Sequence, residues 1–244
     1  MKIAVTGKGG SGKTTIALYL SKRFSEKGMD VLAVDADPSL NLMAMFGYEE
    51  ITPISEIENL VNERARTPEG LVKLNPRVDD LIDEYSIKID KNLRVLAIGT
   101  VTKAGSGCLC PENATLRALL HELVLKRDEA VILDMEAGLE IMSRGTIKNI
   151  DVMLAITEPS YSSISVTKNL LRFADELDIK NSYIVANKIK SKNELKYLSE
   201  KLGAEIFHAI PYLEKIREIS MSNELSLNQE FYNTIGELTE KLTE

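Results

Sequence analysis

Short apolar runs recur along the chain and are separated by segments with helical periodicity. The runs occupy residues 3–6, 31–34, 95–99, 130–133, 152–156, 183–186 and 205–209. Most are apolar on both faces, as buried parallel strands are. Between them, apolar residues recur at helical spacing, clearly so over 14–27, 111–127 and 161–177. The pattern predicts an α/β fold: a doubly wound, mostly parallel sheet of about seven strands with helices on both faces.

Two segments depart from this alternation. Residues 51–91 are rich in charge and contain three prolines, so we interpret them as an insertion at the active-site edge of a single domain spanning residues 1–244. Residues 228–244 have the pattern of an amphipathic helix whose polar positions are mainly acidic. That charge favours docking on the domain over binding to a membrane.

The composition argues against two classes of protein, those that bind nucleic acid and those that span a membrane. The chain has 244 residues, 44% hydrophobic and 27% charged, which suits one soluble domain. Its net charge of −7 argues against a nucleic-acid partner, and no apolar run approaches the roughly 20 residues of a membrane span. The two cysteines lie too close for an ordinary disulfide, and the N-terminus has no signal-peptide pattern, so we expect a cytoplasmic protein.

The first predicted strand leads into a glycine-rich loop. Residues 7–14 read GKGGSGKT and match G-x-x-x-x-G-K-[ST], the phosphate-binding loop of nucleotide triphosphatases. The glycines let backbone N–H groups wrap a phosphate, Lys13 adds charge at its β/γ end, and Thr14 offers a hydroxyl to Mg²⁺. A helical pattern follows directly, which places the anion at a helix N-terminus.

A dinucleotide site is the alternative. Gly7, Gly9 and Gly12 also satisfy G-x-G-x-x-G, with Asp35 at the end of the next strand. Lys13 and Thr14 decide between the two readings, because a triphosphate site needs both an ammonium group and a metal-binding hydroxyl there.

Carboxylates follow two of the other predicted strands. Asp37 is a candidate to orient the attacking water and Asp35 to support the Mg²⁺ shell; the alternative is a helix N-cap or an Asx turn before Pro38. Asp134 ends an apolar strand, the Walker B pattern, although an ordinary loop aspartate is the alternative. Glu136 then begins a loop predicted to sense the γ-phosphate.

The base-binding end of the site is predicted from the sixth strand. It ends in Asn187-Lys188-Ile189-Lys190, and a guanine site would have aspartate where Lys190 stands. We therefore predict adenine, with Asn187 as a base contact and Pro211 lining the same pocket. The predicted nucleotide-binding set is Gly9, Gly10, Ser11, Gly12, Lys13, Thr14, Thr15, Asp35, Asp134, Glu136, Asn187 and Pro211.

Lys8 is a second lysine inside the loop, where one lysine already serves the phosphates. One explanation is a solvated loop lysine. The other is a charge that reaches the nucleotide of a second subunit, in which case Lys8 acts in catalysis together with Lys13 and Asp37.

Cys108 and Cys110 form a C-x-C pair between Gly107 and Pro111. Residues i and i+2 project to the same side of an extended chain, and a helix beginning at Pro111 would lower the thiol pKa. Two such sulfurs suit a soft ion such as nickel or zinc, and a second copy of the chain would complete a four-sulfur site. The alternative is two buried small residues with no metal.

Together these motifs resemble the MinD and nitrogenase-iron-protein group of ATPases, whose deviant phosphate loop carries the extra lysine. Further stretches are similar to the CooC/AcsF branch: 63–64 with 70–76, GCLCPENA at 107–114, and DMEAGLE at 134–140 with 144–146. The resemblance implies an ATP- and Mg²⁺-dependent homodimer, stabilised by ATP or metal, that delivers nickel to carbon monoxide dehydrogenase or acetyl-CoA synthase. It also implies that Asp37 activates water and that Cys108 and Cys110 bind nickel at the dimer interface. Ile141 stands where many relatives have histidine.

Two other functions belong to the same group. A positioning or partitioning ATPase of the MinD/ParA type would need a basic DNA surface or a basic amphipathic tail, and the sequence has neither. An iron–sulfur electron-transfer ATPase would hold a cluster between two chains, but the nitrogenase type takes its cysteines from separate loops.

Overall fold

The computed structural model describes residues 1–73, 76–99, 111–125, 129–136, 149–221 and 228–244. Their centre is an eight-stranded sheet with the order β3-β4-β2-β5-β1-β6-β7-β8. The strands are β1 (Lys2–Gly7), β2 (Val31–Ala36), β3 (Ile87–Lys88), β4 (Leu93–Ala97), β5 (Ala130–Met135), β6 (Val152–Thr157), β7 (Ser182–Ile189) and β8 (His208–Pro211). All neighbouring pairs are parallel except β3 with β4.

Helices cover both faces of this sheet. They are α1 (Lys13–Glu26), α2 (Asn41–Met45), α3 (Glu58–Ala65), α4 (Asp79–Tyr85), α5 (Pro111–Leu125), α6 (Tyr161–Glu176), α7 (Lys192–Leu202), α8 (Glu214–Met221) and α9 (Gln229–Thr243), with a 3-10 helix at Ile54–Glu56. Side-chain oxygens of Ser160, Ser191 and Asn228 accept backbone N–H groups at the starts of α6, α7 and α9. Such caps satisfy donors that the first helical turn leaves open.

The alternation of side chains along β1 divides the core into two layers. Ile3 and Val5 pack with α1, α2 and α9, whereas Ala4 belongs to the layer beneath α4, α5 and α6. Because both faces are covered, the inner strands are buried along their whole length, which is why they read as continuous apolar runs. The predicted fold class is confirmed.

The strand count and some boundaries differ from the prediction. The additional strand is β3, two residues paired antiparallel with the edge strand β4 and too short for a hydrophobic pattern. β4 begins two residues earlier than predicted, and β8 begins at His208 rather than at 205.

The segment 51–91 packs on the sheet through part of its length. Ile54, Leu81 and Ile82 share one apolar cluster with the leucines of α5. At the outer edge Arg64 forms a two-bonded ion pair with Asp80. Among the described residues, no helix has both the length and the apolar character needed to cross a membrane.

Candidate nucleotide site

The phosphate loop joins β1 to α1 at the carboxyl end of the central strand. Gly7 has φ 155°, and a Cβ there would lie 2.3 Å from the carbonyl oxygen of Ile156 on β6. Gly12 has φ 97°, and a Cβ there would lie 2.3 Å from Nδ2 of Asn187. A larger residue at position 7 would therefore push the loop away from β6, and one at position 12 would displace the Asn187 amide. The Ile16 N–H donates to the Gly12 carbonyl at 3.0 Å and continues the loop into α1.

The outer part of the loop is open. Gly9 and Gly10 are exposed, and a Cβ added to either would meet no atom within 4 Å. Lys13 is buried at the start of α1, with Thr14 and Thr15 half-buried beside it. The Ser11 hydroxyl is buried without a hydrogen-bond partner in the described chain. An open glycine cradle at a helix N-terminus fits a phosphate.

Asp35 and Asp134 lie opposite each other on the neighbouring strands β2 and β5. Burial raises the pKa of Asp35 to about 6, although backbone N–H groups of Met43 and Asp37 donate to its carboxylate at 3.0 and 3.2 Å. Burial raises the pKa of Asp134 to about 7, partly offset by the Thr14 hydroxyl and the charge of Lys13. Neither oxygen of Asp134 makes a well-formed hydrogen bond to the described residues.

The donor set beside the loop fits a magnesium ion. A buried carboxylate without well-formed hydrogen bonds is costly, and a divalent cation would remove that cost. Asp134 and the Thr14 hydroxyl are oxygen donors, the kind that Mg²⁺ prefers. When bound, the ion would neutralise charge on the phosphate oxygens.

Asp37 is buried just beyond β2. Its Oδ1 accepts the Ser39 backbone N–H at 3.0 Å and also the Ser39 hydroxyl. The Asx turn considered from the sequence is thus present, and orientation of water by Asp37 stays a prediction. Glu136 is exposed after β5, and its carbonyl accepts the Thr6 hydroxyl at 3.0 Å.

Asn187 supports the loop in this structure. Its Nδ2 donates to the Ser11 carbonyl at 2.8 Å, and its Oδ1 accepts the Lys188 N–H at 2.9 Å. Lys188 has a left-handed backbone, φ 60°, and its Nζ donates to the Gly10 carbonyl at 2.5 Å. Consecutive side chains thereby reach the same loop, although in a regular strand they would point to opposite faces.

The other residues used to predict the base pocket lie at the ends of the neighbouring strands β7 and β8. Pro211 is exposed at the end of β8. Lys190 is the residue from which adenine preference was predicted. Its ammonium group lies 4.4 Å from the centre of the Tyr212 ring and makes a cation–π contact there. Contact of Asn187 or Pro211 with a base stays a prediction.

Glu158 is a charged neighbour of the loop that the sequence did not indicate. It follows β6, and its carboxylate lies 3.9 Å from Nζ of Lys8 and 3.2 Å from Nζ of Lys188. Only the fold brings these residues together, since no motif or spacing in the sequence links them.

The predicted metal ligands Cys108 and Cys110 lie outside the described residues, as does Ile141. Across the ranges that the structure describes, no three histidine, cysteine, aspartate or glutamate side chains converge as a metal-binding group. The cysteine site therefore stays a prediction.

A family model for the CobQ/CobB/MinD/ParA nucleotide-binding domain matches residues 2–228. The chain belongs to this family. An uncharacterised ATP-binding protein of Methanocaldococcus jannaschii is 44% identical over 88% of this chain and 87% of its own. The carbon monoxide dehydrogenase accessory protein CooC of Rhodospirillum rubrum is 38% identical over 87% of this chain and 84% of its own.

The solved structure of the MinD cell division protein of Aquifex aeolicus confirms the fold. It superposes with a TM-score of 0.66 at 20% identity and covers 100% of this chain and 97% of its own. Family membership and the open phosphate loop together identify the chain as an ATP-binding protein of the P-loop ATPase type.

Proposed function

We propose that the protein is a Mg²⁺-dependent ATP hydrolase whose ATP-dependent homodimer carries nickel to carbon monoxide dehydrogenase or acetyl-CoA synthase during maturation. The observation that carries the hydrolase proposal is the buried carboxylate of Asp134, which lies beside Lys13 and Thr14 and lacks a well-formed hydrogen bond to the described residues. Those three residues would hold the metal and the β/γ-phosphates. Asp37, one strand away, would orient the attacking water.

The dimer proposal rests on Lys8. Its side chain is about a third exposed at the mouth of the loop, whereas Lys13 is buried within the same loop. Lys13 thus serves the phosphates of its own subunit, and Lys8, held only by its long ion pair with Glu158, would reach those of a partner. Lys8→Ala should keep the fold and weaken dimerisation by ATP, as measured by light scattering.

The nickel proposal rests on the C-x-C pair and on the similarity to CooC. That relative is named as an accessory protein of carbon monoxide dehydrogenase, and the match spans most of both chains. Cys108 and Cys110 of two subunits would supply four thiolates to one ion, which is cargo rather than a resident cofactor. Zinc would compete for the same sulfurs in isolated protein.

Metal analysis of anaerobically purified protein tests this proposal. With ATP present, we expect one nickel ion per two chains, abolished by Cys108→Ser or by Cys110→Ser. His121→Ala is the control, since His121 is exposed on α5 and should not contribute. Affinity should fall as pH drops, because thiolates must be deprotonated to bind.

One ion per chain, or binding that survives both serine substitutions, would contradict the bridged site. A brown chromophore would instead indicate an iron–sulfur cluster. The client is identified by adding loaded protein and Mg-ATP to nickel-free carbon monoxide dehydrogenase or acetyl-CoA synthase and measuring which enzyme gains activity.

A further inference from the structure

Glu158 lies between two lysines at the mouth of the phosphate loop. Its Oε2 is 3.2 Å from Nζ of Lys188, and its Oε1 is 3.9 Å from Nζ of Lys8. The Glu158 side chain is 21% exposed, against 36% for Lys8 and 41% for Lys188. A carboxylate in this position is unexpected next to a site for a polyanion, because it repels the phosphates that the loop attracts.

The position of Glu158 is well fixed. Its backbone N–H donates to the Ser163 hydroxyl at 3.1 Å, and the Ser160 hydroxyl donates to its Oε1 at 3.4 Å. Lys188 is anchored in turn by its bond to the Gly10 carbonyl. Of the two ion pairs, the one with Lys8 is the longer and has no second anchor among the described contacts.

We propose that Glu158 is a positioning residue that holds Lys8 on its own subunit until a nucleotide-loaded partner arrives. Dimerisation then exchanges the ion pair between Lys8 and Glu158 for one between Lys8 and the partner's phosphates. Lys188 stays with Glu158 after Lys8 leaves, so the carboxylate is never unpaired and the exchange costs little. This inference rests on the cross-subunit role proposed for Lys8.

A double-mutant cycle on the full chain tests the exchange. The four proteins are the parent, Lys8→Ala, Glu158→Gln and the double variant. Each is titrated by sedimentation or light scattering with Mg²⁺ and a non-hydrolysable ATP analogue. Glu176→Gln is the matched control, because Glu176 lies on α6 in an exposed ion pair with Arg172. Melting temperatures of all variants establish that they are folded.

Glu158→Gln should tighten the nucleotide-dependent dimer about two- to fivefold, the size expected for a partly exposed ion pair. The gain should disappear in the Lys8→Ala background and shrink in about 1 M salt, where the Debye length is about 3 Å. Glu176→Gln should have no effect on the dimer.

The outcomes separate the two proposals. If Lys8→Ala weakens the dimer but Glu158→Gln does not tighten it, the cross-subunit role stands and the inference about Glu158 is wrong. A gain from Glu158→Gln that persists without Lys8 also overturns the inference, since Glu158 would then act by general repulsion. If Lys8→Ala leaves the dimer unchanged, the cross-subunit role itself fails.

Discussion

Asp134→Asn should gain stability relative to the parent as pH rises from about 4 to about 7 in the nucleotide-free protein, although it removes a residue of the candidate site. The pKa of Asp134 is raised from 3.8 to about 7 by burial. The folded state therefore keeps a proton that the unfolded state has lost, and stability falls as pH rises from about 4 to about 7. Asparagine does not titrate, so the variant should lack this loss.

The size of the effect follows from the shift. Three pKa units correspond to about 4 kcal/mol at about 1.4 kcal/mol each, which is the most that the parent can lose relative to the variant. The burial cost of the new amide adds a constant that does not change with pH. The difference in unfolding free energy between variant and parent should thus grow by up to about 4 kcal/mol across this window and then level off.

Urea unfolding at a series of pH values measures this difference, with EDTA present and nucleotide absent. Glu200→Gln serves as the control, because it removes a carboxylate from an exposed ion pair with Lys196 on α7. Its effect should stay within about 1 kcal/mol at every pH. A variant-minus-parent difference that is constant from pH 4 to pH 8 would refute the raised pKa of Asp134.

Three further predictions concern single side chains. Asp37→Asn should bind ATP normally but lower kcat by about a hundredfold or more in a phosphate-release assay; normal turnover would remove Asp37 from the chemistry. Asn187→Ala should weaken ATP and GTP equally in fluorescence titrations if it supports the loop, whereas a selective loss of ATP would indicate a base contact instead. Gly236→Ala should lower stability by up to about 2 kcal/mol in thermal melts, because its Cβ would lie 1.8 Å from Nη2 of Arg23 and would force the guanidinium away from the Tyr232 ring. Thr234→Ala, at a half-buried position on the same helix, should cost less than half as much.

Much of the sheet could be predicted because its inner strands are buried on both faces. A strand covered on both sides leaves a continuous apolar run, as in β5 and β6. The two-residue strand β3 leaves no such signal, since antiparallel pairing with β4 at the sheet edge requires no particular side chains. The phosphate loop was predictable for a different reason. Gly7 lies too close to the backbone of Ile156, and Gly12 too close to the Asn187 amide, for a larger residue to fit at either position.

The remainder of the site depends on contacts between distant residues. Lys8 and Glu158 carry no shared motif, and their pairing arises because β1 and β6 are neighbours in the sheet. Asn187 was predicted as a base contact, but the left-handed backbone of Lys188 that directs both side chains to the loop has no signature in composition or spacing. Sequence indicates which residues are chemically suited to a site, and the fold determines what each one touches.

The central position of β1 has a consequence for biosynthesis. β1 is the first strand of the chain, yet its two neighbours are β5 and β6, whose residues pair with it from positions 131 and 152 onward. While the ribosome adds the residues between β1 and these strands, both edges of β1 lack their final partners. The glycine loop that follows β1 also lacks its contact with Ile156 on β6. Non-local pairing of this kind slows folding and leaves strand edges open to aggregation. The nucleotide loop therefore precedes in the chain both of the strands that support it, and it can reach its final geometry only once β6 has been made and has paired with β1.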